Sequence, residues 1–358
     1  MHEVLSEDGA AMLKSLPIPS TSACFADRDL LIMSANNYFS KTWLINKPQL
    51  YLLPDMFVDK GLKLAEFDGK RNALLQMTSC ATFLGLDNRL LISENLKSWK
   101  NILKAENREN MFWHMVEAGD GTLFVQEYGS PLTGLYRSTD GGETWKQIVT
   151  SREIDRRARH FHSIAYDQYR DLLVATLGDG NLVKIAVSED YGDTWKAIYT
   201  SAYQCLPIVV SKDYIVFGMD SAISRGIIIW NPSKNDWENI HLKYVGKLNL
   251  IDSLQSSDLK FGNGNWIMST GWGSLLASND LRNWRCYIFG EKKGFESHMI
   301  SNESNGILAV AMNDKTMIVD SKALNITYQS TDVRQHNAFL VRIKGLGYVI
   351  KRLPTRVR

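Results

Sequence analysis

The chain has 358 residues, 44% of them hydrophobic and 22% charged, which is enough to bury a large core. Its formal net charge of +2 is too small to indicate a nucleic-acid partner, and no apolar run of about 18 residues predicts a membrane span. The first residues contain no apolar stretch of signal-peptide length, so we expect a cytoplasmic or virion-associated protein, or a secreted one whose signal was removed.

Short β-rich runs separated by turn residues follow one another along the chain, and no long amphipathic helix is indicated. The first clear run is LLIMS (30–34), and residues 47–71 form a long connection without an obvious partner, which we interpret as an excursion between structural units. Further along, the pattern predicts four strands in one unit, at Phe112–Val116, Thr122–Gln126, Gly134–Ser138 and Thr144–Val149.

One sequence motif repeats along the chain. STDGGETW at Ser138–Trp145 recurs as SEDYGDTW at Ser188–Trp195. Fainter copies end at Trp43, Trp99, Trp237 and Trp284, and a seventh ends at Ile326. The spacing of 42 to 56 residues is typical of four-stranded propeller blades.

The repeats therefore predict an all-β, seven-bladed β-propeller that forms one domain over residues 1–358. We expect strands from the two ends of the chain to share one blade, because this closes the ring and leaves no open sheet edge. In that blade LLIMS would supply an outer strand, and AFLVRI (338–343) and GYVIKR (347–352) would supply the inner pair.

The two clean copies match the pattern Ser-x-Asp-x-Gly-x-Thr-Trp, and the chain resembles the Asp-box (BNR-repeat), sialidase-like propellers on this ground. That group includes sialidases, xyloglucanases, polysaccharide lyases and photosystem assembly factors, so the resemblance implies a fold rather than an activity. Asp140 is expected to accept hydrogen bonds within its own turn, Gly142 to adopt a positive φ, and Trp145 to fill the seam between sheets. In the resembling families the box lies on the outer edge, away from the active face.

Aligning the repeats by their Trp anchors places five histidines at or near the starts of inner strands. They are His114, His160, His162, His298 and His336. Imidazoles titrate near neutral pH, so their convergence around one pocket favours an active site. For any one of them, a packing role in a strand is the plain alternative.

Charged and polar residues are predicted on the same face. The loop before His160 carries the basic residues Arg152, Arg156, Arg157 and Arg159, which point to an anionic ligand or to a solvated charged loop. The loops between second and third strands carry Glu127, Tyr128, Asp179, Asp220, Arg225, Trp272, Asn313 and Asp314. The candidate catalytic residues are His160, His162, Tyr128, Arg159, His114 and Glu127. The candidate substrate-binding residues are Arg156, Arg225, Asp179, Asp220, Trp272, His298 and His336.

This composition favours a carbohydrate-active enzyme that cleaves an acidic, uronate-containing glycan by elimination. Such a lyase needs a base, a cation beside the uronate carboxylate and an acid for the leaving oxygen. His160 or His162 would be the base, Arg159 or Arg225 the clamp, and Tyr128 the acid.

Other functions remain open at this point. A glycoside hydrolase would use paired carboxylates from Glu127, Asp179 and Asp220. A sialidase is disfavoured, because the Arg-Ile-Pro motif of that family is replaced by Leu-Pro-Ile-Pro at residues 16–19. No organic cofactor is indicated, but a divalent metal on His162 and His298 is a further possibility, since His-x-His side chains on a strand point to one side. A non-catalytic glycan- or protein-binding module, such as a scaffold or virus tail component, is the main alternative.

Overall fold

Seven antiparallel sheets of four strands surround a central channel and form the blades of a β-propeller. The computed structural model describes residues 12–16, 18, 20–34, 36–37, 47–54, 61–179, 183–221, 226–244, 256–270, 274–288, 299–312, 315–321, 333–335, 339–343 and 347–351. The sequence prediction of an all-β, seven-bladed propeller is therefore confirmed.

The strands of the described residues are, in chain order, β1 (Met12–Leu16), β2 (Ser22–Ala26), β3 (Asp29–Ser34), β4 (Asn36–Asn37), β5 (Gln49–Leu53), β6 (Leu62–Glu66), β7 (Arg71–Met77), β8 (Thr82–Leu86), β9 (Arg89–Ser93), β10 (Lys100–Lys104), β11 (Met111–Glu117), β12 (Leu123–Tyr128), β13 (Gly134–Ser138), β14 (Lys146–Thr150), β15 (Phe161–Asp167), β16 (Leu172–Leu177), β17 (Val183–Ser188), β18 (Lys196–Ser201), β19 (Cys205–Val210), β20 (Ile215–Met219), β21 (Gly226–Asn231), β22 (Asp236–Tyr244), β23 (Ser256–Gly262), β24 (Asn265–Thr270), β25 (Ser274–Ser278), β26 (Arg285–Ile288), β27 (Met299–Ile300), β28 (Ile307–Ala311), β29 (Thr316–Asp320), β30 (Val333–Gln335), β31 (Phe339–Ile343) and β32 (Gly347–Lys351). The helix α1 (Ser151–Ile154) joins β14 to the next blade. A membrane-spanning helix is absent from the described residues.

Six blades are continuous in sequence. From the inner to the outer strand they are β2-β3-β5-β6, β7-β8-β9-β10, β11-β12-β13-β14, β15-β16-β17-β18, β19-β20-β21-β22 and β23-β24-β25-β26. We number them blades 1 to 6. The short strands β4 and β30 add to the edges of blades 2 and 5. The four strands that we predicted for blade 3 agree with β11 to β14 within two residues at each end.

Blade 7 closes the ring, and it is composite as predicted. Its strands β27, β28 and β29 come from the later part of the chain, and the N-terminal strand β1 is the outermost. Leu16 of β1 pairs with Thr316 of β29. The Thr316 hydroxyl also donates to the carbonyl oxygen of Ile18 at 2.9 Å, so the two distant segments are joined beyond the strand ladder.

The strands predicted for this blade were wrong in detail. LLIMS lies in β3 and pairs with β2, a strand of mostly small residues that the sequence pattern did not reveal. The segment 47–71 is not an excursion, because β5 and β6 within it complete blade 1. AFLVRI and GYVIKR supply β31 and β32, which pair with each other as a separate hairpin. The faint motif copy at 34–43 follows a second strand rather than a third, so it is not a true repeat position.

Apolar side chains from neighbouring sheets form the core between each pair of blades. Between blades 2 and 3, for example, buried Phe83 and Leu90 pack with Phe112 and Val125. The alternation of inward and outward side chains along each strand makes this packing possible on both faces of a blade. Consecutive inner strands are also in contact all the way round, from β2 to β27 and back to β2.

The two clean motif copies form tight turns between the third and fourth strands of blades 3 and 4. Asp140 accepts hydrogen bonds from the Thr144 amide at 2.9 Å and from its hydroxyl at 2.5 Å. Asp190 accepts the same pair from Thr194. We call Ser138–Trp145 and Ser188–Trp195 the rim turns. Their carboxylates satisfy the polar groups of the turn, as the sequence predicted.

The glycine and tryptophan of the rim turns also have the predicted roles. Gly142 has a φ of +95°, and a Cβ at this position would lie 2.6 Å from the ring of Phe83. Only glycine fits both constraints. Trp145 packs edge to face on Phe83 of blade 2, with ring centroids 6.3 Å apart. The rim turn of one blade therefore binds the neighbouring sheet.

Because β1 closes the ring, we expect Leu16→Ala to destabilise the protein strongly. Leu16 is fully buried between blades 7 and 1, so removing its side chain leaves a cavity and should lower the free energy of unfolding by about 2–5 kcal/mol. Denaturant titration measures this. Ser15→Ala, on the exposed side of the same strand, is the control and should change stability by less than about 0.5 kcal/mol. Equal effects of both variants would contradict closure through β1.

The rim turns are expected to make the stability of the folded protein depend on pH between about 4 and 2. Hydrogen bonds from Thr144 and Thr194 lower the pKa values of Asp140 and Asp190 from 3.8 to about 2. Because both pKa values are lowered in the folded state, their stabilisation is complete above about pH 4 and is lost as the pH falls towards 2. Asp140→Asn/Asp190→Asn should therefore show a smaller decrease of melting temperature across this range than the wild type. Glu143→Gln/Glu189→Gln removes the same charge from the same turns and should retain the wild-type decrease.

Candidate functional site

The axial channel is a cavity of about 480 Å³ lined by the inner strands of the seven blades. His114 of β11 lines it together with Gln76, Lys260 and Glu303. Neither His160 nor His162 is among its lining residues. The predicted gathering of histidines on the axis therefore does not occur among the histidines that the structure describes.

A second polar group of residues lies where blades 3 and 4 meet, at the ends of their second strands. Tyr128 is the last residue of β12, His160 immediately precedes β15, and Asp179 follows β16 after one glycine. The pairing of β15 with β16 is irregular between Phe161 and Ser163. The rings of His160 and His162 lie 4.7 Å apart, nearly perpendicular to each other. We call Tyr128, Arg159, His160, His162 and Asp179 the mouth cluster.

His160 is held in one tautomer by the backbone of the neighbouring blade. Its Nδ1 lies 2.7 Å from the carbonyl oxygen of Gly129, so Nδ1 carries the donated proton. Its Nε2 lies 3.1 Å from Oδ1 of Asp179. Gly129 has a φ of +146°, and a Cβ there would lie 2.0 Å from the side chain of Asn110. The carbonyl that fixes His160 therefore depends on a glycine.

His162 is completely buried and has a similar backbone contact. Its Nε2 lies 2.7 Å from the carbonyl oxygen of Gly178 and 3.6 Å from Oδ1 of Asp179. Its Nδ1 has no hydrogen-bond partner in the described part of the chain. Burial lowers the pKa of His162, and the hydrogen bond with Asp179 acts in the opposite direction. The net direction favours the neutral imidazole.

Asp179 is the exposed end of the mouth cluster, with 38% of its side chain accessible. Its contacts with His160 and then with His162 hold its pKa well below the usual range. Arg159 Nε lies 3.2 Å both from Oδ2 of Asp179 and from Nδ1 of His160. Because that Nδ1 already carries a proton, the carboxylate is the acceptor of the arginine. The Arg159 side chain is 52% exposed.

Tyr128 covers the two imidazoles. Its ring centroid lies 4.4 Å from that of His160 and 6.0 Å from that of His162. On its other side, Trp113 packs edge to face at 4.5 Å. Tyr128 is partly exposed, so the aromatic cover and the Asp179–Arg159 pair are what a ligand approaching the cluster would meet first.

Glu127 precedes Tyr128 but lies inside the wall of blade 3. Its Oε1 accepts from Asn110 at 2.7 Å, and its Oε2 accepts from the Gly134 amide at 3.0 Å and the Tyr136 hydroxyl at 3.3 Å. The same Asn110 accepts from the Ser130 amide at 2.8 Å. These contacts hold the loop that presents Gly129 to His160. The arrangement supports a positioning role for Glu127 rather than contact with a ligand.

His114 is separate from the mouth cluster but linked to it. Gln126 Nε2 lies 3.4 Å from Nδ1 of His114 and 3.4 Å from the backbone oxygen of His162. The His114 ring stacks on Trp113 at 5.3 Å. Burial lowers the pKa of His114 to about 3, so it is neutral near pH 7.

The remaining candidates are dispersed or fall outside the described residues. Arg156 is exposed beside α1, while Arg157 pairs with Asp155 at 3.1 Å. Asp220 follows β20 of blade 5 and accepts from Gln204 at 3.3 Å. The candidates outside the described residues are Arg225, Trp272, His298, His336, Asn313 and Asp314.

The sequence pattern missed three residues that build the site: Asn110, Gly129 and Gly178. Asn110 frames the loop, and the two glycines act through their carbonyl oxygens. A backbone carbonyl has no signature of its own in a sequence. The available signal was the presence of a glycine directly after Tyr128 and directly before Asp179.

Comparison with known proteins supports the fold. No protein-family profile matches the chain, and no curated protein matches it. It is similar to virginiamycin B lyase from Staphylococcus aureus, with a TM-score of 0.62 and 14% identity over 87% of this chain and 97% of that one. It is similar to YCF48 from Cyanidioschyzon merolae (TM-score 0.54, 14% identity, 88% and 100% covered) and to the WD40 domain of Neurospora crassa Pan2 (0.56, 9%, 88% and 91%). At these identities the likeness shows the β-propeller fold alone.

The surroundings of Glu127 predict that Glu127→Gln destabilises the protein. In the variant the side-chain NH₂ would face one of the three fixed donors that now bind the carboxylate. This contact should lower the free energy of unfolding by about 1–3 kcal/mol. Thermal unfolding measures this. Glu94→Gln, at an exposed position, is the control. A variant of unchanged stability that had lost activity would instead make Glu127 a catalytic acid.

Proposed function

We propose that the protein acts on an acidic glycan at the mouth cluster and cleaves it by elimination. The observation that carries this proposal is the junction of blades 3 and 4, where an exposed arginine and a partly exposed tyrosine lie against two buried histidines and the partly exposed Asp179. Buried polar side chains without full hydrogen bonding are costly, so such a group favours function over packing.

The reaction has clear chemical requirements. A base removes the proton on the carbon beside the uronate carboxylate, the bond from the adjacent carbon to the glycosidic oxygen breaks, and a double bond forms between the two carbons. The leaving oxygen takes up a proton. Positive charge near the carboxylate stabilises the anion that develops.

We assign these roles by what a glycan can reach. His160 and His162 are 1% and 0% exposed, and each has a ring nitrogen hydrogen-bonded to a backbone carbonyl. A glycan cannot reach them, so neither histidine is the base in this proposal. Tyr128 takes the proton as the phenolate and returns it to the leaving oxygen. Arg159 binds the uronate carboxylate, exchanging its contact with Asp179 for the substrate.

The runner-up is a non-catalytic glycan-binding module with the same contacts. The burial of both imidazoles favours it, since a binding site needs only the exposed Arg159 and the aromatic surface of Tyr128. A hydrolase with paired carboxylates has less support, because Glu127 is enclosed by its three donors.

We infer also that the chain is a divergent member of the Asp-box propellers. Support comes from the rim turns, in which the aspartate, glycine and tryptophan have the contacts that the Ser-x-Asp-x-Gly-x-Thr-Trp pattern requires.

The elimination proposal is tested with a panel of acidic polysaccharides, by following the ultraviolet absorbance of the unsaturated uronate product. Wild type should produce it from at least one uronate glycan. Tyr128→Phe should lower kcat by roughly 10²–10⁴-fold, because it removes the proton-transfer group. Arg159→Ala should mainly raise KM by weakening carboxylate binding.

Tyr169→Phe is the matched control, since Tyr169 is an exposed tyrosine in the turn between β15 and β16, at the opposite end of these strands. Glycan binding without product, lost in Arg159→Ala, would replace the lyase with the binding module. Product formation that is unchanged in Tyr128→Phe and Arg159→Ala would place the reaction elsewhere on the protein.

A further inference from the structure

We propose that His160, His162 and Asp179 form a binding site for one divalent transition-metal ion. One imidazole nitrogen of each histidine and one carboxylate oxygen of Asp179 lie within 4.8 Å of one another. The use of this ion to neutralise a uronate carboxylate rests on the proposed function, but the binding of the ion does not.

His160 and Asp179 make an unfavourable contact that a cation between them would relieve. His160 donates Nδ1–H to the Gly129 carbonyl, so the Nε2 of a neutral ring presents a lone pair. This Nε2 is buried, has no hydrogen-bond partner among the described residues, and lies 3.1 Å from Oδ1 of Asp179. Two lone pairs facing each other repel, whereas both atoms are good ligands of one positive ion.

Two distances between the ligand atoms are close to those around a bound Zn²⁺ ion. Tetrahedral bonds of about 2.0–2.1 Å from Zn²⁺ to nitrogen and oxygen place neighbouring ligand atoms roughly 3.3–3.4 Å apart. Oδ1 of Asp179 lies 3.1 Å from Nε2 of His160 and 3.6 Å from Nε2 of His162. Both separations are within a few tenths of an ångström of the edge of such a tetrahedron, so the carboxylate needs only a small movement relative to either imidazole.

The contacts of the ligands with their neighbours also have the form found at metal sites. Histidines that bind metals usually donate their other ring N–H to a carbonyl or carboxylate, and the contact from His160 to Gly129 has this form. Arg159 contacts the second oxygen of Asp179 at 3.2 Å. The Gly178 amide donates to the His160 backbone oxygen at 3.0 Å, which fixes the segment before Asp179 relative to His160.

His162 must change one contact to take part. Its Nε2 donates to the Gly178 carbonyl, so the neutral ring must carry its one proton on Nδ1 instead before Nε2 can bind an ion, and no proton is released. The Gly178 oxygen then faces the ion as an additional oxygen donor. Because Asp179 is partly exposed, a further coordination position opens to the solvent side, where a substrate carboxylate could bind.

The donor set limits the choice of ion. Two imidazoles with one carboxylate suit Zn²⁺, Mn²⁺ and related first-row ions, whereas Mg²⁺ and Ca²⁺ prefer oxygen ligands alone. We therefore choose Zn²⁺ as the probe for affinity, and Co²⁺ as the probe for geometry because its visible absorption reports the coordination number.

The experiment uses the full chain, stripped with a chelator and titrated with Zn²⁺ by calorimetry. We expect one ion per chain in the wild type. Asp179→Asn should weaken binding by about 100-fold or more, since loss of a ligand exceeds the 10–100-fold effect of second-shell changes. His160→Gln should have a similar effect. Asp213→Asn, in an exposed turn between β19 and β20, should bind as the wild type does.

His160 is buried, so His160→Gln could fail to fold, and circular dichroism checks this. Asp179→Asn lies at the surface and keeps the test decisive in that case. Absence of Zn²⁺ binding, or binding that both variants retain, would overturn the proposal. A proton shared between His160 and Asp179 would then explain their contact.

The two proposals fail separately. Zn²⁺ binding that depends on Asp179, without product from any glycan, leaves the metal site and removes the lyase. Elimination that depends on Tyr128 and Arg159, without Zn²⁺ binding, leaves the lyase and removes the metal site.

Discussion

The pairing of β1 with β29 is the constraint on which the ring depends. Each blade packs only on its two neighbours, so an open ring would leave one apolar face of the first blade and one of the last in water. Closure by an N-terminal strand joins these faces through contacts between residues some 300 positions apart in sequence, such as Leu16 and Thr316. β1 also pairs with the edge of β29 that would otherwise be exposed.

The closed ring gives the mouth cluster its precision, because the cluster uses two neighbouring blades. Within blade 3, Glu127 and Asn110 fix the loop that carries Gly129. The Gly129 carbonyl sets the tautomer of His160 in blade 4, and that tautomer turns the free Nε2 towards Asp179. A chain of backbone and side-chain contacts thus places one lone pair opposite one carboxylate, the arrangement that a metal ion would occupy.

Sequence reasoning succeeded where the signal is local. The rim turns and the fainter copies of their motif follow one another at a regular spacing along the chain, so this period predicted the number of blades. The sequence between the third and fourth strands of blade 1 has no copy of the motif, and its inner strand β2 consists mostly of small residues, so its strands were misassigned. Alternation along one strand correctly put His160 near His162. His114 was aligned with them, yet it faces the channel. Repeat alignment predicts the position of a residue along a strand, but it does not predict the local irregularity in strand pairing that decides which way the side chain points.

The seam between blades 3 and 4 is held together at the outer circumference of the ring. Trp195 of the second rim turn packs at the outer end of the cluster that contains Phe124 of blade 3 and Phe161 of blade 4. Arg137 of blade 3 reaches across the same seam to Asp193 at 2.8 Å. The two sheets are therefore joined at their circumference by Arg137 and Asp193, and near the mouth cluster by the contact between Gly129 and His160. Because these contacts resist sliding of one sheet past the other, a ligand would be accommodated by rotation of side chains and not by movement of one blade relative to the next.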